Sequence, residues 1–244
     1  MHGTVSRLLR MCALLLVLTV APPAHGARND PTVVRHALLG WSALGRPIRA
    51  VEVGDPDEQR KLLVVGCIHG DEPAGIRIAL MVARPPLSAN ADVWIVPTLN
   101  PDGVAARTRQ NGRRVDLNRN FPWAWRQLGQ PGYRYYSGPR ALSEPESRIA
   151  VRLVRRLRPA VSLWFHQPYG LVDESGGDVG LERRFAERVG LPLVRLPRYP
   201  GSATSWENHV LPGTTAFVVE LHGGAVAPQE TEGFVSAVRA LAAP

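Results

Sequence analysis

Two imidazoles and two carboxylates stand where metal-assisted hydrolysis would need them. The apolar run 62–68 leads into His69-Gly70-Asp71-Glu72-Pro73, so an imidazole and a carboxylate three residues apart fall on a turn between a strand and a helix, where both can converge on one cation. Gly70 between them allows the backbone to bend tightly. A second apolar run, 161–165, delivers His166 at its carboxyl end, and a third, beginning at Phe217, delivers Glu220. Alone, each signal has an ordinary structural explanation. A strand-end histidine commonly packs, and a strand-end glutamate commonly pairs with a cation, since an unpaired buried carboxylate costs several kcal/mol. Taken together, two histidines and one glutamate make the open catalytic zinc set that keeps a position for water, and the remaining carboxylate is the base such a water needs.

These residues require elements that end in the same place. Short runs rich in β-branched residues at 48–53, 62–68, 93–96, 161–165 and 217–221 read as strands. Apolar residues at helical spacing predict helices over 74–82, 144–157, 182–189 and 230–241. The second of these opens with Ser143, Pro145 and Glu146 in a capping-box layout. Strands that are apolar throughout and separated by helices imply an α/β fold with a largely parallel sheet covered on both faces. In such a sheet the ligand crevice lies beyond the carboxyl ends of the strands, where His69, Glu72, His166 and Glu220 are expected. Residues 100–140, rich in Gly, Pro, Arg and aromatics, read as a long polar connection.

Composition narrows the setting. The chain has 244 residues, 45% hydrophobic and 20% charged, which suits one main globular domain and neither a disordered chain nor a multi-span membrane protein. Its net charge of +8 comes from 28 Arg and a single Lys, Lys61. The arginines are scattered and lack the interleaved aromatics of a nucleic-acid groove, so coding bias explains most of the excess and no nucleic-acid partner is expected. Arg7 and Arg10 precede the apolar run 11–21, then Pro22-Pro23 and the small residues Ala24 and Gly26. This is the layout of a secretory signal over 1–26, with the catalytic domain over 27–244, a secreted or cell-envelope location and no lasting membrane insertion after cleavage. An uncleaved anchor is the alternative. With Cys12 in that segment, Cys67 has no partner and reads as a small core hydrophobe.

Further motifs make a resemblance specific. Asn100-Pro101-Asp102-Gly103, Arg109-Gln110-Asn111, Asp116-Leu117-Asn118-Arg119-Asn120-Phe121 and Ser143-Glu144-Pro145-Glu146 follow the His69–Glu72 turn in order. Over residues 62–221 the chain resembles the zinc carboxypeptidase family, and within it the bacterial murein peptide amidase branch. The resemblance implies a three-layer α/β/α fold around a mixed, mostly parallel twisted sheet, with no further β-domain. It implies one zinc ion held by His69, Glu72 and His166, and Glu220 as general base. It implies that Arg109 stabilises the oxyanion, that Asn118 and Arg119 hold a substrate carboxylate, and that Asp116 orients His69. The substrate would be a peptide or muropeptide with a free carboxylate, γ-D-glutamyl-diaminopimelate by the branch resemblance, and the protein is expected to act as a monomer. The family's mobile tyrosine is either Tyr169 or Tyr199. His222 either tunes Glu220 or packs, and His209 reads as structural. The alternatives are an N-acyl amino acid deacylase of the succinylglutamate desuccinylase or aspartoacylase type, against which the Asn100–Gly103 and Asp116–Phe121 motifs argue, and a non-catalytic zinc- or peptide-binding protein.

Overall fold

The computed structural model describes residues 32–86 and 88–243; the expected signal over 1–26 lies outside them. Eight strands form one sheet in the order β1-β2-β4-β3-β5-β8-β6-β7. These are β1 (Val33–Trp41), β2 (Pro47–Gly54), β3 (Lys61–Val65), β4 (Asp92–Val96), β5 (Val161–His166), β6 (Tyr169–Asp173), β7 (Leu193–Val194) and β8 (Thr215–His222). The central four, β4, β3, β5 and β8, run parallel. At one edge β2 is antiparallel to β4 and β1 to β2. On the other side β6 is antiparallel to β8, and β7 is parallel to β6.

Among the described residues six α-helices complete the layers: α1 (Ala74–Val82), α2 (Pro101–Ala106), α3 (Pro145–Leu157), α4 (Val179–Val189), α5 (Ala203–Val210) and α6 (Pro228–Leu241). The strands read as unbroken apolar runs because both faces are covered. Leu62, Val64, Leu163 and Phe165 enter one core with Ile78 of α1, Phe185 of α4 and Phe234 of α6. Leu63, Val65 and Trp164 alternate into the opposite core with Ile149 and Leu153 of α3 and Trp206 of α5. This is the three-layer α/β/α architecture around a mixed sheet.

Several boundaries differ from the sequence reading. The third strand ends at Val65 rather than running to residue 68. Gly66 is pressed so closely against the carbonyl oxygens of Pro97 and Gly75 that a Cβ has no room, and the chain continues to His69 as a buried loop. The capping box before α3 is not formed. Glu144 occupies the cap position with no side-chain cap bond, because Ser143 Oγ donates to Glu144 Oε1 and Glu146 turns inward to accept from Ala43 N and Asn111 Nδ2. The fourth helix starts at Val179, where Asp178 accepts from the amides of Gly180 and Leu181. The edge strand β1, the short β6 and β7, and helices α2 and α5 are additional.

Helix α2 explains Gly70. Asn100 caps this short helix by accepting from Gly103 N, and its Nδ2 donates to the carbonyl of Ile68, tying the helix start to the catalytic turn. Gly70 lies directly on the backbone of Gly103, closer than any Cβ could approach. The glycine is thus required by a backbone-to-backbone contact rather than by the turn conformation assumed from sequence. Gly70→Ala is expected to lower stability by about 1–3 kcal/mol, the usual range for overpacking, as read by urea unfolding; an unchanged midpoint would contradict the contact.

Candidate metal centre and substrate cleft

The carboxyl ends of the parallel strands bring three side chains together. His69 and Glu72 come from the loop between β3 and α1, and His166 is the last residue of β5. One ligand atom from each lies within 4.8 Å of the others, and all three residues are buried. Glu72 Oε2 is 2.9 Å from His69 Nδ1 and 2.9 Å from His166 Nδ1. The donor set of two imidazole nitrogens and a carboxylate oxygen, converging from three directions on one point, fits a divalent ion of the borderline-soft class to which zinc belongs.

A second set of contacts closes this cluster into a ring. His69 Nε2 faces Asp116 Oδ1 at 3.1 Å, Asp116 Oδ2 accepts from Arg109 Nε at 2.8 Å, and Arg109 Nη1 donates to Glu72 Oε1 at 3.0 Å. His69, Asp116, Arg109 and Glu72 therefore form a closed, largely buried loop of alternating sign. Its charges set one another's titration. Burial works against ionised Glu72, yet the neighbouring imidazoles of His69 and His166 hold its carboxyl well below the usual range. Burial likewise opposes ionised Asp116, and the Arg109 charge overrides it downward. For His69, burial and Arg109 push down, but Glu72 and Asp116 together raise it. His166 lacks an Asp116 of its own, and burial leaves it lowered. With Nε2 committed to Asp116, His69 presents Nδ1 to the centre, the arrangement by which a carboxylate fixes the tautomer of a ligand histidine.

Glu220 sits beside this ring. It is paired in register with His166 across β5 and β8 and is 7% exposed. Its Oε2 is buried without a hydrogen-bond partner among the described residues. Burial pushes the carboxyl up to about 7, and the Glu72 charge adds to the rise.

A cleft of about 620 Å³ opens from the triad along the end of the sheet, and Arg109, Asn118, Arg119 and Glu220 all line it. The tight turn Leu117–Arg119 is started by Asp116, whose Oδ1 accepts from Asn118 N. Asn118 Oδ1 in turn accepts from Ala203 N at the start of α5. Arg119 is 5% exposed, and no carboxylate pairs with its guanidinium among the described residues. Its Nη1 donates to Asn118 O at 2.7 Å, and its Cζ lies 4.3 Å from the Tyr199 ring centroid and 5.6 Å from that of Tyr135.

Every site residue expected from sequence thus borders one cleft or its supporting ring. Both tyrosine candidates line it as well. Tyr199 stacks on Arg119, whereas Tyr169 is the more exposed and starts β6 beside Glu220. His222 packs its ring over Gly170, and His209 stacks on Trp123 at 3.1 Å. Cys67 is buried, donates to His69 O, and burial pushes its thiol up to about 12. Arg113 and Arg114 are exposed.

Four contributors escape the sequence reading. Tyr135 lies over both Arg109 and Arg119 and is one of several aromatics in an irregular loop. Gln167 anchors the segment after His166 by accepting from Ala74 N and donating to the carbonyls of His222 and Gly224. Asp173, with Arg198, lies deeper in the cleft, and its only sequence signal is a carboxylate ending a very short apolar run.

Comparison with known proteins agrees with this geometry. The zinc carboxypeptidase family matches residues 24–169. Murein peptide amidase A of Escherichia coli (strain K12) is 33% identical over 205 residues, covering 78% of this chain and 82% of that protein. Murein peptide amidase A of Vibrio campbellii is 30% identical over 183 residues, covering 69% and 73%. The crystal structure of murein-tripeptide amidase from Escherichia coli O157 superposes with a TM-score of 0.69 at 26% identity, over 85% of this chain and 91% of that one. The chain belongs to the zinc carboxypeptidase family and is a zinc-dependent metallopeptidase of the carboxypeptidase and murein peptide amidase type.

Proposed function

We propose that this enzyme holds one zinc ion on His69, Glu72 and His166 and hydrolyses an amide bond next to a free carboxylate in an extracytoplasmic peptide of the muropeptide class, with Glu220 moving the proton. The observation that carries this reading is the unpartnered, buried Glu220 Oε2 on the cleft wall beside the triad. A polar atom is seldom left in that state unless a substrate or water completes it.

When bound, zinc supplies Lewis acidity that polarises the scissile carbonyl and acidifies the attacking water. Glu220, poised near neutrality, takes the proton released by attack and returns it to the leaving amine. Arg109 is held from two sides by Asp116 and Glu72, so its remaining N–H groups face the cleft at fixed orientation and stabilise the developing oxyanion; a donor of this kind contributes about 2.7–4 kcal/mol. Asn118 and Arg119 receive the free carboxylate. A buried guanidinium without a counter-ion is costly, and a substrate anion relieves that cost in a geometry suited to paired hydrogen bonds. The tyrosine rings around Arg119 wall off water on two sides. The likeness to murein peptide amidases supports γ-D-glutamyl-diaminopimelate as the bond cut, and the leader-like segment 1–26 supports a setting outside the cytoplasm. Among the described residues, no helix is long and apolar enough to cross a membrane.

The deciding experiment is product analysis by mass spectrometry on muropeptides, ordinary C-terminal peptides and N-acyl amino acids. Cleavage next to the free carboxylate is expected only in the first two groups, and exclusive turnover of N-acyl amino acids would overturn the reading. Glu220→Gln should retain zinc, measured by metal analysis after dialysis, while kcat falls by at least about 10²-fold, the lower end for a lost general base; near-normal turnover would remove Glu220 from the mechanism. Asp116→Asn removes the acceptor behind His69 and should weaken zinc binding about 10- to 100-fold in a chelator competition. Because the base must be ionised to accept a proton, kcat/KM should fall as pH drops through the Glu220 pKa. That value is about 7 from burial, and the ion's charge moves it lower. A profile flat down to pH 4 would exclude Glu220 as the titrating base.

A further inference from the structure

Of the guanidiniums that line the cleft and that the chemistry above leaves unused, Arg126, Arg134 and Arg198, Arg198 is the one backed by a buried carboxylate. Leu171 of β6 lies opposite Glu220 of β8, and Val172 lies opposite Val219. Extending that register by one residue sets Asp173 across from Val218, on the face that carries Glu220 and two residues further along the ladder. At about 3.3 Å per residue, this is roughly 7 Å from the reacting end. Both Asp173 and Val218 line the cleft, as does Arg198.

Asp173 is 3% exposed, and every acceptor position on it is engaged. Oδ1 accepts from Leu196 N at 2.9 Å and from Arg198 Nη1 at 3.1 Å. Oδ2 accepts from Ser175 Oγ at 2.7 Å and from Arg198 Nη1 at 2.8 Å. Arg198 Nη2 donates to the carbonyl of Glu174. These contacts occupy one edge of the guanidinium, while the side chain remains 34% exposed with N–H donors to spare. The result is a fixed cation facing the cleft and a carboxylate sealed behind it. An ion pair whose cation is this exposed contributes little to stability by itself, and a pocket meant for an apolar side chain would be walled by apolar groups.

We propose that Arg198, fixed by Asp173, is a specificity-determining residue: it reads a carboxylate at the far end of the side chain of the substrate's C-terminal residue, and it reads that carboxylate alone. The inference rests on the carboxylate-adjacent cleavage proposed above, with Asn118 and Arg119 taking the main-chain carboxylate. The depth favours a side chain longer than that of glutamate. Because the oxygens of Asp173 are saturated, an amino group beside the distal carboxylate finds no acceptor there and makes no difference.

The test is a series of peptides with one common acyl part and leucine, glutamate, 2-aminopimelate or 2,6-diaminopimelate at the C-terminus. The wild-type enzyme and Arg198→Gln are compared by kcat/KM on each. Wild type should prefer the two seven-carbon diacids over leucine by about 10- to 150-fold, the worth of one charge-assisted hydrogen bond, and should not distinguish them from each other. Arg198→Gln should erase that preference through KM, with a smaller loss on the leucine peptide than on either seven-carbon diacid. A wild-type preference for leucine, a strong preference for diaminopimelate over aminopimelate, or an equal loss on every peptide in the variant would each overturn the inference while leaving the amide-hydrolysis reading intact. Failure of the wild type to cleave any member would instead overturn that reading and the inference with it. Arg198→Lys keeps a cation at the site and should retain part of the preference, whereas Arg126→Gln and Arg134→Gln, which alter other guanidiniums of the cleft, should retain it in full; loss of the preference in either of these instead would overturn the assignment to Arg198, so a folding defect in Arg198→Gln leaves the inference testable.

Discussion

The closed ring of His69, Glu72, Arg109 and Asp116 is the constraint on which the site depends. His69, Glu72 and Asp116 are buried and Arg109 is partly buried, each carries or can carry charge, and each contact offsets the desolvation of two groups at once. Removing any one leaves a neighbour charged, dry and unpaired, a situation that costs several kcal/mol. The ring also spans the fold. Two members come from the turn after β3, and two come from the long connection between α2 and α3. The catalytic turn and the substrate-binding loop are consequently one electrostatic unit, and the position of Asn118 and Arg119 follows from Asp116, which both orients His69 and starts the turn that carries them.

Much of this was legible in the sequence, because the metal ligands sit at the ends of strands whose apolar runs are unmistakable. Strands covered on both faces leave a continuous signal, and helices α1, α3, α4 and α6 show their buried stripe. The failures share a cause: elements whose identity is set by tertiary contacts rather than by local pattern. Strand β1 is an edge, with Val34, Leu38 and Trp41 exposed, so its alternation is blurred. Strand β6 contains Gly170 at positive φ and is held only by its neighbours. Ser143 and Glu146 match a capping box in spacing, but the pull of Asn111 and Ala43 on the two glutamates that follow Ser143 prevails over the local cap. Gly70 is needed for its contact with Gly103 rather than for a tight turn, and no sequence pattern announces that Gly103 will lie against it.

The arginine excess divides along the same line. Many guanidiniums among the described residues are exposed surface groups, as Arg113 and Arg114 illustrate. Of the five in the cleft, three show how differently such a group can be held: Arg109 is gripped by two carboxylates, Arg119 lies against aromatic rings with none, and Arg198 is backed by one. The number of carboxylates behind each guanidinium sets how much of its charge is left for a ligand. By that measure Arg119 is the strongest anion receptor of the three, and Arg109 is the most rigid.

The antiparallel seating of β6 on β8 turns the depth of the cleft into a count of rungs. Pleating places side chains on the catalytic face only at every second residue, so the far wall can stand two or four residues from Glu220 but not three. Sliding β6 by one residue would swing Asp173 into the core, where the Leu196 amide and Arg198 could not follow, whereas sliding it by two would preserve every facing and lengthen the cleft by about 7 Å. The reach of a side chain into this site is therefore quantised by the ladder. A relative with the same catalytic ring could change which side-chain lengths it accepts by shifting the register of one short strand, with no substitution among the groups that perform the chemistry.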